Sequence, residues 1–137
     1  MERRKIEQIH PVLCWRIRQE VMYPQEELSF VAIEGDEEAI HHGYFLNNEL
    51  LGVLSWFIDG EEAQFRKFAV KEKVQGQGIG TEMLQYGLGE MRTLGIRKVW
   101  CNARLEKRAF YERFGLSCTD QQFVRHGISY VIMELKT

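Results

Sequence analysis

The apolar positions of this chain change period several times. Between His10 and Met22, the residues Val12, Leu13, Ile17 and Val21 recur at helical spacing, and Pro11 stands near the first turn. The spacing predicts a helix over 10–22, ended by Pro24 and the acids that follow. Residues 25–40 are ambiguous, and Phe30-Val31-Ala32-Ile33 fits either a short strand or a buried loop. From Gly43 the period shortens. Tyr44-Phe45-Leu46, the turn Asn47-Asn48-Glu49 and the run Leu50 to Ile58 read as two strands around a tight turn. Asp59-Gly60 marks a second turn, and a strand follows from Ala63 to Val70. The helical period then returns in Met83, Leu84, Leu88, Met91 and Leu94, the apolar face of a helix from about Gly78 to Leu94, with Gly95 at its stop. Arg97 to Asn102 is a strand, Lys107 to Phe114 a short helix closed by Gly115, and residues 116–124 and 128–135 are two final strands. A meander followed by helix, strand, helix, strand, strand gives a mixed α/β sheet rather than a purely parallel one.

Composition narrows the class. The chain has 137 residues, enough for one domain, 1–137, and too few for two ordinary ones. No repeat, low-complexity tract or linker divides it. No stretch approaches the roughly 20 apolar residues of a membrane span. The charged start Met-Glu-Arg-Arg-Lys leads into no apolar signal region, so a cytoplasmic protein that meets no membrane is expected. Cys14, Cys101 and Cys118 show no C-x-x-C spacing. Neither a disulfide framework nor a metal site is indicated, and reduced core thiols are the expectation.

Charge adds a finer feature. Between Gln19 and Phe65 there are eleven acids and no Lys or Arg, whereas residues 66–137 carry thirteen basic residues against seven acids. Such a split suits one anionic and one cationic ligand, or else a solvated acidic surface with ordinary helix charges. Nucleic acid is an unsuited partner: no basic stripe is interleaved with aromatics, and the pI is about 6.1.

The densest chemical signal is Gln75-Gly76-Gln77-Gly78-Ile79-Gly80, which follows a strand and opens a helix. Glycines let a backbone approach a ligand closely and adopt positive φ, and the N–H groups of a helix start suit a phosphate. A dinucleotide fingerprint needs a glycine where Thr81 stands, and a Walker loop needs a Lys that is absent here. The loop alone therefore reads as a phosphate cradle or as a tight turn with close helix packing.

With its flanks the loop says more. Phe68-Ala69-Val70 followed by Gln75-x-x-Gly78-x-Gly80 resembles the acetyl-CoA motif of the GNAT acetyltransferase superfamily. A second motif of that family, a strand-end Asn and then A-x-x-FY-x-x-x-G-F, is matched by Asn102 and by Phe110-Tyr111 and Gly115, with Leu116 in the last place. Arg18-Gln19-Glu20-Val21 and His126-Gly127-Ile128 resemble one bacterial subgroup of the family more weakly. The resemblance covers residues 63–116 and implies a GNAT-type fold: a mixed, mostly antiparallel sheet of about six to seven strands flanked by helices, in a single domain. It implies an acetyl-CoA-dependent N-acetyltransferase without a metal.

Residue roles follow from the same resemblance. Phe68, Ala69 and Val70 would meet the pantetheine arm, and a backbone N–H of Ala69 or Val70 the oxyanion. Gln75, Gly76, Gln77, Gly78, Ile79, Gly80 and Thr81 would hold the pyrophosphate, and Asn102 the pantetheine arm or the chain after it. Tyr111 holds the position that protonates or hydrogen-bonds the leaving thiolate. Where many relatives carry a Glu base, six residues before Val70, this chain has Gln64. An amide is no base at neutral pH, though it can hold a water. Glu61, Glu62, His41 and His42 stand as alternatives acting through water. Glu20, Glu26, Glu27 and Glu34 would lie on the acceptor side and favour a primary amine on a cationic small molecule or a lysine. The competing reading is a catalytically weak acyl-CoA-binding module, for which Gln64 is the best support. A homodimer through the C-terminal strands, at Tyr130-Val131-Ile132-Met133, is a further expectation.

Overall fold

The computed structural model describes residues 2–137. Within them, strands β1 (Arg4–Gln8), β2 (Ile40–Leu46), β3 (Glu49–Asp59), β4 (Glu62–Val70), β5 (Lys98–Arg104), β6 (Ser117–Arg125) and β7 (Ile128–Lys136) form one seven-stranded sheet in the order β1-β2-β3-β4-β5-β7-β6. The helices are α1 (Pro11–Met22), α2 (Ile79–Thr93) and α3 (Arg108–Glu112). β1 with β2, β2 with β3, β5 with β7 and β6 with β7 pair antiparallel. β4 and β5 pair parallel over residues 62–64, as a crossover through a helix requires. The sheet is thus mixed, as the alternation of periods predicts, and mostly antiparallel, as the family resemblance implies.

The chain divides into two compact units, one running to Phe57 and including Arg66–Gly87, the other formed by Ile58–Phe65 and Leu88–Thr137. In the first, β3 is buried without a break from Leu51 to Trp56, because a helix covers each face. Val53 packs with Ile9, Cys14, Ile17 and Ala69 on the α1 side. On the α2 side, a Cβ on Gly52 would sit 2.9 Å from Met83 Sδ, and one on Gly87 would overlap the Trp56 indole. Glycine at 52 and 87 therefore sets how closely α2 lies on β3.

In the second unit, β5 and β7 run in register from Lys98 opposite Lys136 to Arg104 opposite Tyr130. Val99, Cys101 and Ala103 of β5 and Val131 and Met133 of β7 are buried. β7 has β5 on one edge and β6 on the other. The segment Tyr130 to Met133 therefore has no edge left with which to pair across a dimer, contrary to the expectation above, and the open edge belongs to β6.

Other differences have local causes. β1 escapes the pattern because it is an edge strand whose side chains, apart from half-buried Ile6, are exposed. Its pairing with β2 rests on backbone bonds, and Arg4 reaches the Tyr44 hydroxyl at 3.2 Å and Glu82 at 3.3 Å. Leu28–Val31 is a single 3-10 turn, neither strand nor plain loop, with Val31 buried. β2 begins at Ile40, so His41 and His42 lie inside the sheet and are buried. Cys14 and Cys101 are core thiols, and burial pushes each up to about 12. Cys118 departs from the expectation and is exposed.

Candidate active site

The glycine loop is built from its anchor outward. After β4 a 3-10 turn, Glu72–Val74, reverses the chain, and the Gln75 side-chain amide donates back to the Val70 carbonyl at 2.9 Å. Gln75 thus ties the loop to the strand end. Gly76 and Gly78 have φ of 81° and 84°, and a Cβ on either would meet no protein atom within 4 Å. These glycines serve backbone conformation beside open space, not protein packing. The first ladder bond of α2 runs from Glu82 N–H to the Gly78 carbonyl at 3.1 Å. The N–H groups of Ile79, Gly80 and Thr81 lie ahead of it, at the positive end of the helix dipole. An exposed left-handed turn with uncommitted amides and room for a ligand fits a pyrophosphate. Gln75 also borders a surface cavity of about 330 Å³ with Glu20, Val21 and Glu72.

Phe68, Ala69 and Val70, at the end of β4, belong to the same unit as the loop. Just before them, Lys67 has φ of 56° inside the strand. A bulky residue is rarely left-handed, and holding one there costs about 1–3 kcal/mol. The Lys67 ammonium donates to the Tyr23 hydroxyl at 2.7 Å. Sequence reasoning missed Lys67, since only Gly, Asn or Asp advertises a left-handed backbone.

Gln64, Asn102 and Tyr111 lie in the second unit. Gln64 is half-buried and opposite Trp100 in the parallel register. Asn102 is exposed, two residues before the end of β5. Tyr111 sits in α3 with its ring 5.7 Å from that of Phe65 and 5.2 Å from that of Phe110. Burial, and next the Cys101 thiol, push the Tyr111 phenol well above its ordinary value, with Arg104 opposing. Tyr111 is therefore a neutral hydroxyl at physiological pH, able to donate.

Three of the alternative bases, His41, Glu61 and Glu62, are engaged elsewhere. His41 Nδ1 lies 2.7 Å from Ser55 Oγ and Nε2 2.7 Å from the Asp36 carbonyl. The carbonyl can only accept, so Nε2 carries the proton and Nδ1 accepts from Ser55. Burial holds the His41 imidazole below its ordinary value, which favours this neutral form. With both nitrogens engaged, His41 does not serve as a base. Glu61 pairs with Arg97 at 2.7 Å and Glu62 with Lys98 at 3.3 Å, at the start of β4.

The same network removes one acid from the apparent negative surface. Asp36 is buried, and Arg18, fully buried, binds both its oxygens at 2.8 and 3.0 Å. Arg18 also reaches the Val31 carbonyl at 3.0 Å and Ser55 at 2.9 Å, while Trp15 and the Ile33 N–H each donate to Asp36 at 2.9 Å. Burial alone would raise the Asp36 carboxyl, but the bonds from Arg18, Ile33 and Trp15 together hold it below its ordinary value. This clamp fixes residues 31–36 against α1 and β3. Glu20, Glu26, Glu27 and Glu34 are all exposed, and Glu20 comes within 3.6 Å of Lys71.

A strand, a left-handed glycine turn and a helix start, in a mixed sheet of this strand order, describe a coenzyme A-dependent acyltransferase. Comparison with protein families agrees: residues 15–137 match the acetyltransferase (GNAT) domain, and the chain belongs to the GNAT acetyltransferase family. It is 23% identical over 132 residues to an uncharacterized N-acetyltransferase, YitI, of Bacillus subtilis (strain 168), across 90% of this chain and 89% of that one. Among solved structures, the fold is similar to the ribosomal-protein-S18-alanine N-acetyltransferase of Escherichia coli, with a TM-score of 0.81, 19% identity and coverage of 98% and 94% of the two chains. It is also similar to a GNAT family acetyltransferase of Elizabethkingia anophelis with acetyl-CoA bound, with a TM-score of 0.76, 17% identity and 98% of each chain covered. The chain is an acyl-CoA-dependent N-acetyltransferase, with acetyl-CoA as co-substrate. Among the described residues, no group of side chains is arranged to hold a metal and no helix is long and apolar enough to cross a membrane.

Proposed function

We propose that this chain, acting as one domain over residues 1–137, transfers the acetyl group of acetyl-CoA to a primary amine on a cationic small molecule or a lysine. The observation that carries the reading is the open left-handed turn at Gly76 and Gly78, tied to β4 by Gln75 and continued by the amides of α2. In this reading Gln75, Gly76, Gln77, Gly78, Ile79, Gly80 and Thr81 hold the pyrophosphate. Phe68, Ala69 and Val70 meet the pantetheine arm, with Asn102 as a further anchor. An exposed carboxylate rim of Glu20, Glu26, Glu27 and Glu34 attracts the cationic acceptor.

The amine nitrogen attacks the thioester carbonyl, the C–N bond forms, and collapse breaks the C–S bond to release a thiolate. A thiol resembling a free cysteine titrates near ~8.5. The Tyr111 phenol lies above its own ordinary value, so full transfer of its proton to that thiolate runs uphill. Tyr111 therefore acts by donating a hydrogen bond to the leaving sulfur, which takes its proton from solvent. The amine's proton leaves through a water held by Gln64. Because Gln64 cannot ionise, the amine enters in its neutral form, about one molecule in 10³ at pH 7.

Release of free thiol from acetyl-CoA, measured against an amine panel, tests this reading. Tyr111→Phe is expected to lower kcat by about 10- to 10²-fold, the worth of one hydrogen bond to a charged atom, without weakening acetyl-CoA binding. The log of kcat/KM is expected to rise with pH at a slope of about one between roughly pH 7 and 9, as the neutral amine accumulates. Tight acetyl-CoA binding with no turnover on any amine would favour the second reading, a catalytically weak acyl-CoA-binding module, which Gln64 supports. The setting we infer is cytoplasmic, in keeping with three free cysteines. A homodimer joined through sheet edges would use β6 or β1.

A further inference from the structure

We propose that Lys67 is a specificity residue for the acceptor, and that it selects amines that also carry a carboxylate. The inference rests on the acetyl-transfer reading above and sharpens it, from a cationic amine in general to an amino acid such as lysine. Three observations carry it.

The first is charge. Most lysines of the chain sit beside carboxylates: Lys5 by Glu7, Lys71 by Glu20 and Glu49, Lys73 by Glu49, and Lys98 by Glu62 and Glu134. Lys67 is half-buried, and its hydrogen-bond partner among the described residues is the hydroxyl of Tyr23. The ammonium also lies over the Tyr23 ring, 5.0 Å from its centroid, so its charge meets a hydroxyl and a π-face but no carboxylate. The neighbouring Arg66 contacts the Phe57 ring at 5.5 Å and likewise has no carboxylate among the described residues. Neither cation has a carboxylate beside it among the described residues, and both belong to the same unit as the glycine loop.

The second is backbone. Lys67 is left-handed although glycine or asparagine would adopt that conformation with less strain. Strain of this kind persists only where the surrounding structure holds it, and it clusters at active sites and ligand clamps. The third is location. Lys67 directly precedes Phe68, Ala69 and Val70, and its partner Tyr23 caps the C-terminus of α1. The Tyr23 ring lies 5.2 Å edge-on from Phe30, which is 54% exposed on the 3-10 turn. The ammonium thus lies where β4 meets the segment after α1, with an aromatic edge beside it for the carbon chain of an acceptor. A carboxylate reaching Lys67 would add an opposite charge to the hydrogen bond, which the present hydroxyl acceptor does not.

The test uses matched acceptors that differ only in the carboxylate: lysine against cadaverine, and 5-aminovalerate against pentylamine. In the wild-type protein the carboxylate-bearing member of each pair is expected to show a kcat/KM at least about tenfold higher, which is roughly 1.4 kcal/mol. Lys67→Asn, which tolerates the left-handed backbone, should bring the ratio to about one by raising the KM of the carboxylate-bearing amine. Acetyl-CoA affinity should not change. Lys67→Gly is the folding control and should abolish the preference while the protein melts no lower than wild type. Equal rates within the pairs, or a preference that survives both variants, would overturn the proposal while leaving acetyl transfer intact. Acetyl-CoA binding without thiol release on any of the four amines would instead sink the acetyl-transfer reading, and this inference with it.

Discussion

Gly76 and Gly78 on one side and Lys67 on the other adopt the same left-handed backbone within a dozen residues, and they do so for opposite reasons. At the glycines the space where a side chain would stand is open, and the useful groups are backbone amides. At Lys67 the side chain is half-buried, engages Tyr23 and is retained despite a conformation that disfavours it. A positive φ filled by glycine marks a place where the backbone does the binding. At Lys67, by our inference, the side chain does. In this chain the first belongs to the donor and the second, by our inference, to the acceptor.

Substitutions graded by what each residue meets sharpen the contrast. The largest effect on stability is expected at Gly87, where an alanine Cβ would overlap the buried Trp56 indole. Gly87→Ala should destabilise the fold by about 1–3 kcal/mol, read as a lower midpoint in urea. Lys67→Gly comes next and has the opposite sign: relief of strain should offset the added chain entropy and leave stability unchanged or up to about 1 kcal/mol higher. Gly89 of α2 has open space around its Cβ position and an ordinary φ, so Gly89→Ala should stabilise by up to about 1 kcal/mol through helix propensity alone. If Gly87→Ala and Gly89→Ala shifted the midpoint alike, the distinction between packing glycines and merely tolerated ones would collapse.

The sequence made some of these features plain and hid others, for physical reasons. α2, β3 and the loop between β4 and α2 were legible because long apolar periods and clustered glycines are strong local signals. β1 was not, since an edge strand with solvated side chains carries no alternation. Asp36 was counted among the surface acids because a charge tally cannot see burial; its partner Arg18 lies eighteen positions earlier in α1, buried on the same face as Cys14 and Ile17. His41 read as polar and so as a possible base, yet it is a fully engaged interior group. The roles of Asn102 and Tyr111 came from motif spacing, whereas the exposure of the one and the raised phenol of the other required the fold.

The claim that residues 75–81 hold the pyrophosphate of the donor is tested most directly by calorimetric titration of the protein with coenzyme A and, separately, with pantetheine, which lacks the pyrophosphate and nucleotide. The account predicts that coenzyme A binds at least about 10²-fold more tightly than pantetheine. It predicts that Gly78→Ala, whose Cβ enters the open side of the turn, shrinks that gap by about tenfold or more while pantetheine affinity stays the same. Equal affinity for the two ligands in the wild-type protein, or a gap untouched by Gly78→Ala, would contradict it.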